Sequence, residues 1–170
     1  MAVNLESLNS SGQAAFTAAL GHLFEHSPWV AEETWLKRPF PSAPALHAAL
    51  CATMRGASRE RQLALIRAHP DLAGRLAQQR KLTAESTREQ AAAGLDQLSE
   101  AELAGFTRQN DAYQAKFGFP FIICARLNAK AAILEAMRTR VANPPEAEFA
   151  TALGEIEKIA WLRLQDVLKT

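Results

Sequence analysis

Apolar residues recur along this chain at steps of three and four, the spacing that places them on one face of a helix packed against a core. In residues 11–24 the stripe is Phe16, Leu20, Leu23 and Phe24, and Ser27-Pro28 then has the form of an N-cap followed by proline at the first helical position. In residues 44–54 it is Leu46, Leu50 and Met54, with Gly56 placed to end the helix and Ser58 to cap the next. That next helix runs over residues 58–68. It stops at His69-Pro70, because proline disfavours the α conformation in the residue before it.

Beyond the break the pattern resumes. Asp71 is placed to cap a segment reaching about Arg80, residues 83–93 form a helix closed by Gly94, and Ser99 with Glu102 matches a capping box opening a long helix that ends at Gly118. Along that helix Leu103, Phe106, Asn110, Tyr113 and Phe117 share one stripe. The run FGFPFIIC, residues 117–124, has strand-like composition but no partner strand, so it predicts an extended turn. Helices over 128–141 and 146–168 follow, separated by Asn143-Pro144-Pro145. About eight helices and no sheet make the class all-α, and no repeat or linker divides residues 1–170, so one domain is expected.

Composition narrows the function. The 170 residues carry 19 Lys+Arg against 18 Asp+Glu, a net charge of +1, which gives no electrostatic reason for nucleic acid or an anionic membrane surface as partner. Cys51 and Cys124 are far apart, lie in apolar surroundings and lack the spacing of a metal or redox pair. The first thirty residues do not read as a signal sequence, and no apolar run approaches the roughly 18 residues that span a bilayer. These features predict a cytoplasmic protein. No HExxH, CxxC, glycine-rich phosphate loop or GxSxG elbow is present, so metal, nucleotide and serine-hydrolase chemistry lack support.

Three polar residues disturb the pattern. Arg163 lies in the apolar stripe of the last helix, among Phe149, Leu153, Ile156, Ala160, Leu164 and Val167. A guanidinium there either snorkels at the edge of the core or meets an anion in a pocket. Glu89 either closes a capping box with Ser86 or has a chemical role, since a helical run has already begun before Ser86. His69 is either a satisfied structural histidine or a ring presented at a rigid break.

Several motifs occur together in one order: LGHLFEHSPWVAE, HPDLAGR, LTAESTREQAAAGLD, YQAKFGFPFIIC and a late KIAWLRL. With these the chain resembles the family of 2-oxo-4-hydroxy-4-carboxy-5-ureidoimidazoline (OHCU) decarboxylases, which complete the conversion of urate to (S)-allantoin. The resemblance covers nearly the whole chain. It implies an all-helical lyase without cofactor or metal, usually a homodimer, acting on a small ureidoimidazoline. It also implies that His69, Glu89 and Arg163 surround the substrate, and that Pro70, Ser86, Thr87, Arg88, Glu89, Gln90, Phe121, Ile122, Ile123, Cys124 and Ala125 line the pocket. An extended apolar segment suits that use, because its backbone N–H groups are not all consumed by a helix and can donate to ring or ureido oxygens.

Two other classes compete with this reading. A helical adaptor would work through an exposed apolar face and would not need His69 at a break or Arg163 in a stripe. A metal-dependent hydrolase would need converging ligands, whereas His69 and Asp71 are the only close pair and a proline separates them. Leu168-Lys169-Thr170 does not match the peroxisomal S-K-L ending of some eukaryotic relatives of that family, which leaves the cytoplasm as the expected compartment.

Overall fold

The computed structural model describes residues 3–74, 77 and 79–169. Among them are nine α-helices, two short 3-10 helices and no strand, so the all-α expectation holds. The chain groups into two units, Met1–Ala68 with Ile156–Thr170, and His69–Glu155.

The first unit holds α1 (Leu5–Ser10), α2 (Gln13–Leu20), α3 (Trp29–Thr34), a 3-10 turn (Trp35–Lys37), α4 (Ala43–Gly56), α5 (Arg59–Ala68) and the later turns of α9 (Pro145–Lys169). Caps are where the polar spacing puts them. Ser42 Oγ accepts from Ala45 N–H at the start of α4, and Ser58 Oγ accepts from Arg61 N–H at the start of α5. The core is Phe16, Leu20, Leu23, Phe24, Val30, Leu46, Leu50, Met54, Leu65 and Ile66, all buried.

Two expectations change here. The stripe over residues 11–24 is not one helix: α2 begins at Gln13 and ends at Leu20, and turns follow. At Gly21 a Cβ would lie 2.6 Å from the Thr17 carbonyl oxygen and 3.2 Å from Pro28 Cβ, so the chain folds back tightly where only glycine fits. Leu23 and Phe24 stay buried outside any helix, which is why they extended the stripe. Ser27 is not the cap of α3 either. Pro28 occupies that position, and the Ser27 hydroxyl donates instead to the Glu25 carbonyl oxygen.

The second unit holds α6 (Ala84–Ala92), α7 (Glu100–Phe117), a 3-10 turn (Ala125–Leu127), α8 (Lys130–Arg140) and the first turns of α9. The Ser99–Glu102 capping box forms as expected, and α7 ends at Gly118 in the left-handed conformation, φ 73°. Residues 119–124 are neither helix nor paired strand. Their rings join those of α7 and α9: Tyr113 meets Phe121 edge-on at 5.3 Å, and Phe119 meets Phe149 edge-on at 6.2 Å. Helix α7 packs on α8, and α6 packs on the Ala125–Leu127 turn. The helix expected from Asp71 to about Arg80 falls partly, and Arg75 wholly, outside the described residues. Before it, Gly74 N–H closes a turn onto the Asp71 carbonyl oxygen at 3.3 Å, and Ala73 has φ 52°.

Candidate active site

His69 follows the last residue of α5, which stops where the proline break predicts, and it is buried, 8% exposed. The loop after it is held by two side-chain amides. Gln90 Oε1 on α6 accepts from Ala73 N–H at 2.9 Å, and Asn110 Nδ2 on α7 donates to the Leu72 carbonyl oxygen at 2.9 Å. That explains an asparagine in an apolar stripe. Asp71 Oδ1 and Asn110 Oδ1 are buried without a hydrogen-bond partner, and burial, with Asp111 adding to it, raises the Asp71 carboxyl above its ordinary pKa.

Helix α6 carries the second group. Thr83 is its N-cap, with Oγ1 accepting from Ser86 N–H at 3.2 Å, so Ser86 sits within the first turn and Glu89 lies beyond it. Glu89 therefore closes no capping box, which removes one of its two readings. Ser86 and Gln90 are buried and Glu89 is half-buried. Thr87 and Arg88 are exposed: the Thr87 hydroxyl donates to the Thr83 carbonyl oxygen, and Arg88 faces Glu85 at 3.9 Å. Their side chains do not join the buried group.

The third group is the segment from Phe121 to Ala125, every residue of it buried. Packing of α6 on the Ala125–Leu127 turn brings this segment beside the Ser86–Gln90 face, while Gln90 ties the same helix to the loop after His69. The Cys124 thiol registers that neighbourhood: burial raises its pKa, and the Glu155 and Glu89 carboxylates raise it further. Cys124 N–H donates to Glu155 Oε2 at 3.1 Å. The N–H groups of Phe121, Ile122, Ile123 and Ala125 make no hydrogen bond to any described residue. Buried amides are paired in more than nine cases in ten, so a segment with several such N–H groups is unusual.

Arg163 belongs to the first unit, 4% exposed. Its Nη1 donates to Glu25 Oε2 at 3.0 Å and to the His22 carbonyl oxygen at 3.1 Å. Glu25 is itself 2% exposed, so Arg163 does not snorkel: it meets an anion, and the anion is a carboxylate of the same chain. Sequence reasoning missed Glu25. The signal was available, since Glu25 is a carboxylate inside the apolar run LFEH, and a buried carboxylate requires a partner. It missed Glu148 for a similar reason. This residue is wholly buried at the start of α9, where an acidic residue is ordinarily explained by the helix dipole.

Among the described residues no three His, Cys, Asp or Glu side chains gather as a metal site, and no helix is long and apolar enough to cross a membrane. Cys51 is no thiolate nucleophile, because burial pushes its thiol up to about 12 despite a 3.3 Å contact with His47 Nε2. A cavity of about 580 Å³ opens on the Thr87 and Gln90 side of α6, walled by Ala73, Leu82, Leu95 and Leu103.

A profile of a known family, described as OHCU decarboxylase, matches residues 9–165. The chain belongs to that family. A 2-oxo-4-hydroxy-4-carboxy-5-ureidoimidazoline decarboxylase of Halalkalicoccus jeotgali is 42% identical over 165 residues, covering 97% of this chain and 92% of its own length. One from Bos taurus is 40% identical over 166 residues, covering 98% of each. The crystal structure of an (S)-allantoin synthase superposes with a TM-score of 0.77 at 33% identity over 98% of this chain. This chain spans about half of that one, 54% of its length.

Proposed function

We propose that this protein decarboxylates 2-oxo-4-hydroxy-4-carboxy-5-ureidoimidazoline to (S)-allantoin, as a cofactor-free carboxy-lyase and a single catalytic domain. The observation that carries the reading is the buried segment of residues 121–125, in which the N–H groups of Phe121, Ile122, Ile123 and Ala125 pair with no described residue, next to the α6 face that bears Ser86, Glu89 and Gln90. A ligand rich in carbonyl and ureido oxygens suits such a segment.

The chemistry needs no external electron sink. The bond from the ring carbon to the carboxylate breaks, carbon dioxide leaves, and the electron pair moves into the ring toward the nitrogen of its carbon–nitrogen double bond. That nitrogen takes up a proton, the ring hydroxyl becomes a carbonyl as its own proton is lost, and a proton is added to the carbon that carries the ureido group. The protein supplies position, proton transfer and choice of face. His69 is the proton donor that sets the stereocentre. Glu89 orients the imidazole or holds ureido N–H groups. Pro70, Ser86 and Gln90 complete the walls with the helix backbone at Thr87 and Arg88, and Cys124 contributes through the same segment.

Arg163 supplies positive charge, and its pairing with Glu25 bears on how. A bare guanidinium gripping the departing carboxylate would stabilise the ground state, which does not speed the reaction. A guanidinium partly neutralised by Glu25 grips it less and can still favour a ring oxygen on which negative charge develops. The family resemblance further supports a homodimer.

The experiment supplies urate with urate oxidase and the hydrolase that acts next, and follows allantoin by circular dichroism with and without this protein. The uncatalysed route gives racemate, so faster and optically active product is expected, with no metal or organic cofactor added. His69→Ala should lose about 10²- to 10⁴-fold in rate, the usual worth of a positioned acid–base group. Racemic product at the background rate with the wild-type protein would end the decarboxylase reading.

A further inference from the structure

Ile122 is fixed by a side chain that the proposed chemistry does not use. Arg140, in the last turn of α8, donates from Nη1 to the Ile122 carbonyl oxygen at 2.8 Å, and its guanidinium carbon lies 4.2 Å from the centroid of the Phe121 ring. The other side of the guanidinium is held by Glu148: Nε reaches both carboxylate oxygens at 3.1 and 3.2 Å, and Nη2 reaches Oε2 at 2.8 Å. Glu148 is 0% exposed and also accepts from the Tyr113 hydroxyl and from Asn143 Nδ2. Burial alone would raise its pKa, yet the hydrogen bonds from Arg140, Tyr113 and Asn143 hold it below the ordinary value.

We propose that Arg140, locked by Glu148, is a positioning residue that sets the orientation of the Ile123 N–H within residues 121–125. The proposal rests on the reading that this segment contacts substrate. Along an extended backbone successive residues turn their polar groups to opposite sides. Ile122 gives its carbonyl to Arg140, and Cys124, extended at φ −70° and ψ 94°, gives its N–H to Glu155 and its carbonyl to Asn128 Nδ2 at 3.0 Å. The Ile123 N–H shares its trans peptide with the Ile122 carbonyl and points away from it, so holding that carbonyl fixes the direction of the Ile123 donor. The ion pair is close to neutral as a unit, so it orients this donor without itself acting as a second anion site.

The planar fork matters here. It reaches Glu148 through two nitrogens, reaches a carbonyl with the third and lies over a ring, and a lysine ammonium cannot do all of these together. Arg140→Lys keeps the charge and loses the geometry. It should raise KM about tenfold, the loss of roughly one aligned hydrogen bond, while kcat stays within about threefold. Tyr113→Phe removes one donor from Glu148 without touching Arg140, and should shift KM in the same direction by about two- to threefold. In the folded Arg140→Lys protein the amide resonances of Ile123 and Ala125 should move more than those of α4, which lies in the other unit. A role confined to stability would lower the thermal midpoint and leave KM and these resonances alone, and that result overturns the proposal. Displaced amides together with an inactive wild-type protein would refute the decarboxylase reading while upholding the clamp. Unchanged KM in both variants of an active enzyme refutes the clamp alone.

Discussion

Removing the charge of Glu25 should destabilise the first unit by an amount that the geometry sets. Glu25 Oε2 and Arg163 Nη1 are 3.0 Å apart and both side chains are buried. At an effective dielectric of about 20, charges centred 3–4 Å apart attract by about 4–5 kcal/mol. In Glu25→Gln the amide oxygen still accepts a hydrogen bond worth about 1 kcal/mol, but the charge–charge attraction between Glu25 and Arg163 is lost. The net loss is therefore about 3–4 kcal/mol. For a chain of this length each kcal/mol moves the midpoint by about 2–4 °C, so Tm should fall by roughly 6–16 °C. Calorimetry and urea unfolding measure the loss, and a double-mutant cycle with Arg163→Met isolates the pair. The cycle should show a coupling of about 2–3 kcal/mol between the two positions. Additivity of the two substitutions to within about 0.5 kcal/mol would refute the pairing as the source of stability.

Two other outcomes follow from the same contacts. Glu89→Gln preserves shape and, since Thr83 rather than Ser86 caps α6, should leave the midpoint within about 2 °C while losing most activity; normal turnover would show that Glu89 has no chemical part. Glu148 has a folded-state pKa below its ordinary value of 4.5, so its contribution to stability is full above that value and is lost as pH falls through it toward the folded one. Urea unfolding between about pH 6 and pH 3.5 should therefore show a steep acid limb that Glu148→Gln flattens, and equal slopes in the two proteins would contradict the sign of the shift.

Helix type and most helix ends were legible because they depend on local chemistry: Ser58, Ser99 and Gly118 act within four residues of where they stand. The turn at Gly21 was not, since it depends on Pro28 coming back against Thr17 and Gly21. The site divides in the same way. His69 and Arg163 were visible because a proline and an apolar stripe make a polar residue conspicuous. Glu25, Arg140 and Glu148 were not, because on paper each is an ordinary charged residue, and what sets them apart is a partner 8 to 138 positions away. Glu89 lay between these cases: its spacing from Ser86 fits a cap, and only the position of Thr83 shows that the cap is elsewhere.

The unpaired amides at Phe121, Ile122, Ile123 and Ala125 have a consequence for how this protein responds to mutation. Recognition by main-chain donors is written in no side chain, so exchanging Ile123 for another aliphatic residue of similar volume alters packing and leaves the donor in place. A scan of side-chain substitutions would pass over this segment as tolerant, and a comparison of aligned residues would see only a preference for bulk. The segment becomes visible only to changes in the backbone itself. Replacing the Ile123 amide by an ester, with the side chain retained, deletes one N–H and weakens the Ile122 carbonyl that Arg140 holds, and it reports on a part of the molecule to which ordinary genetics is blind.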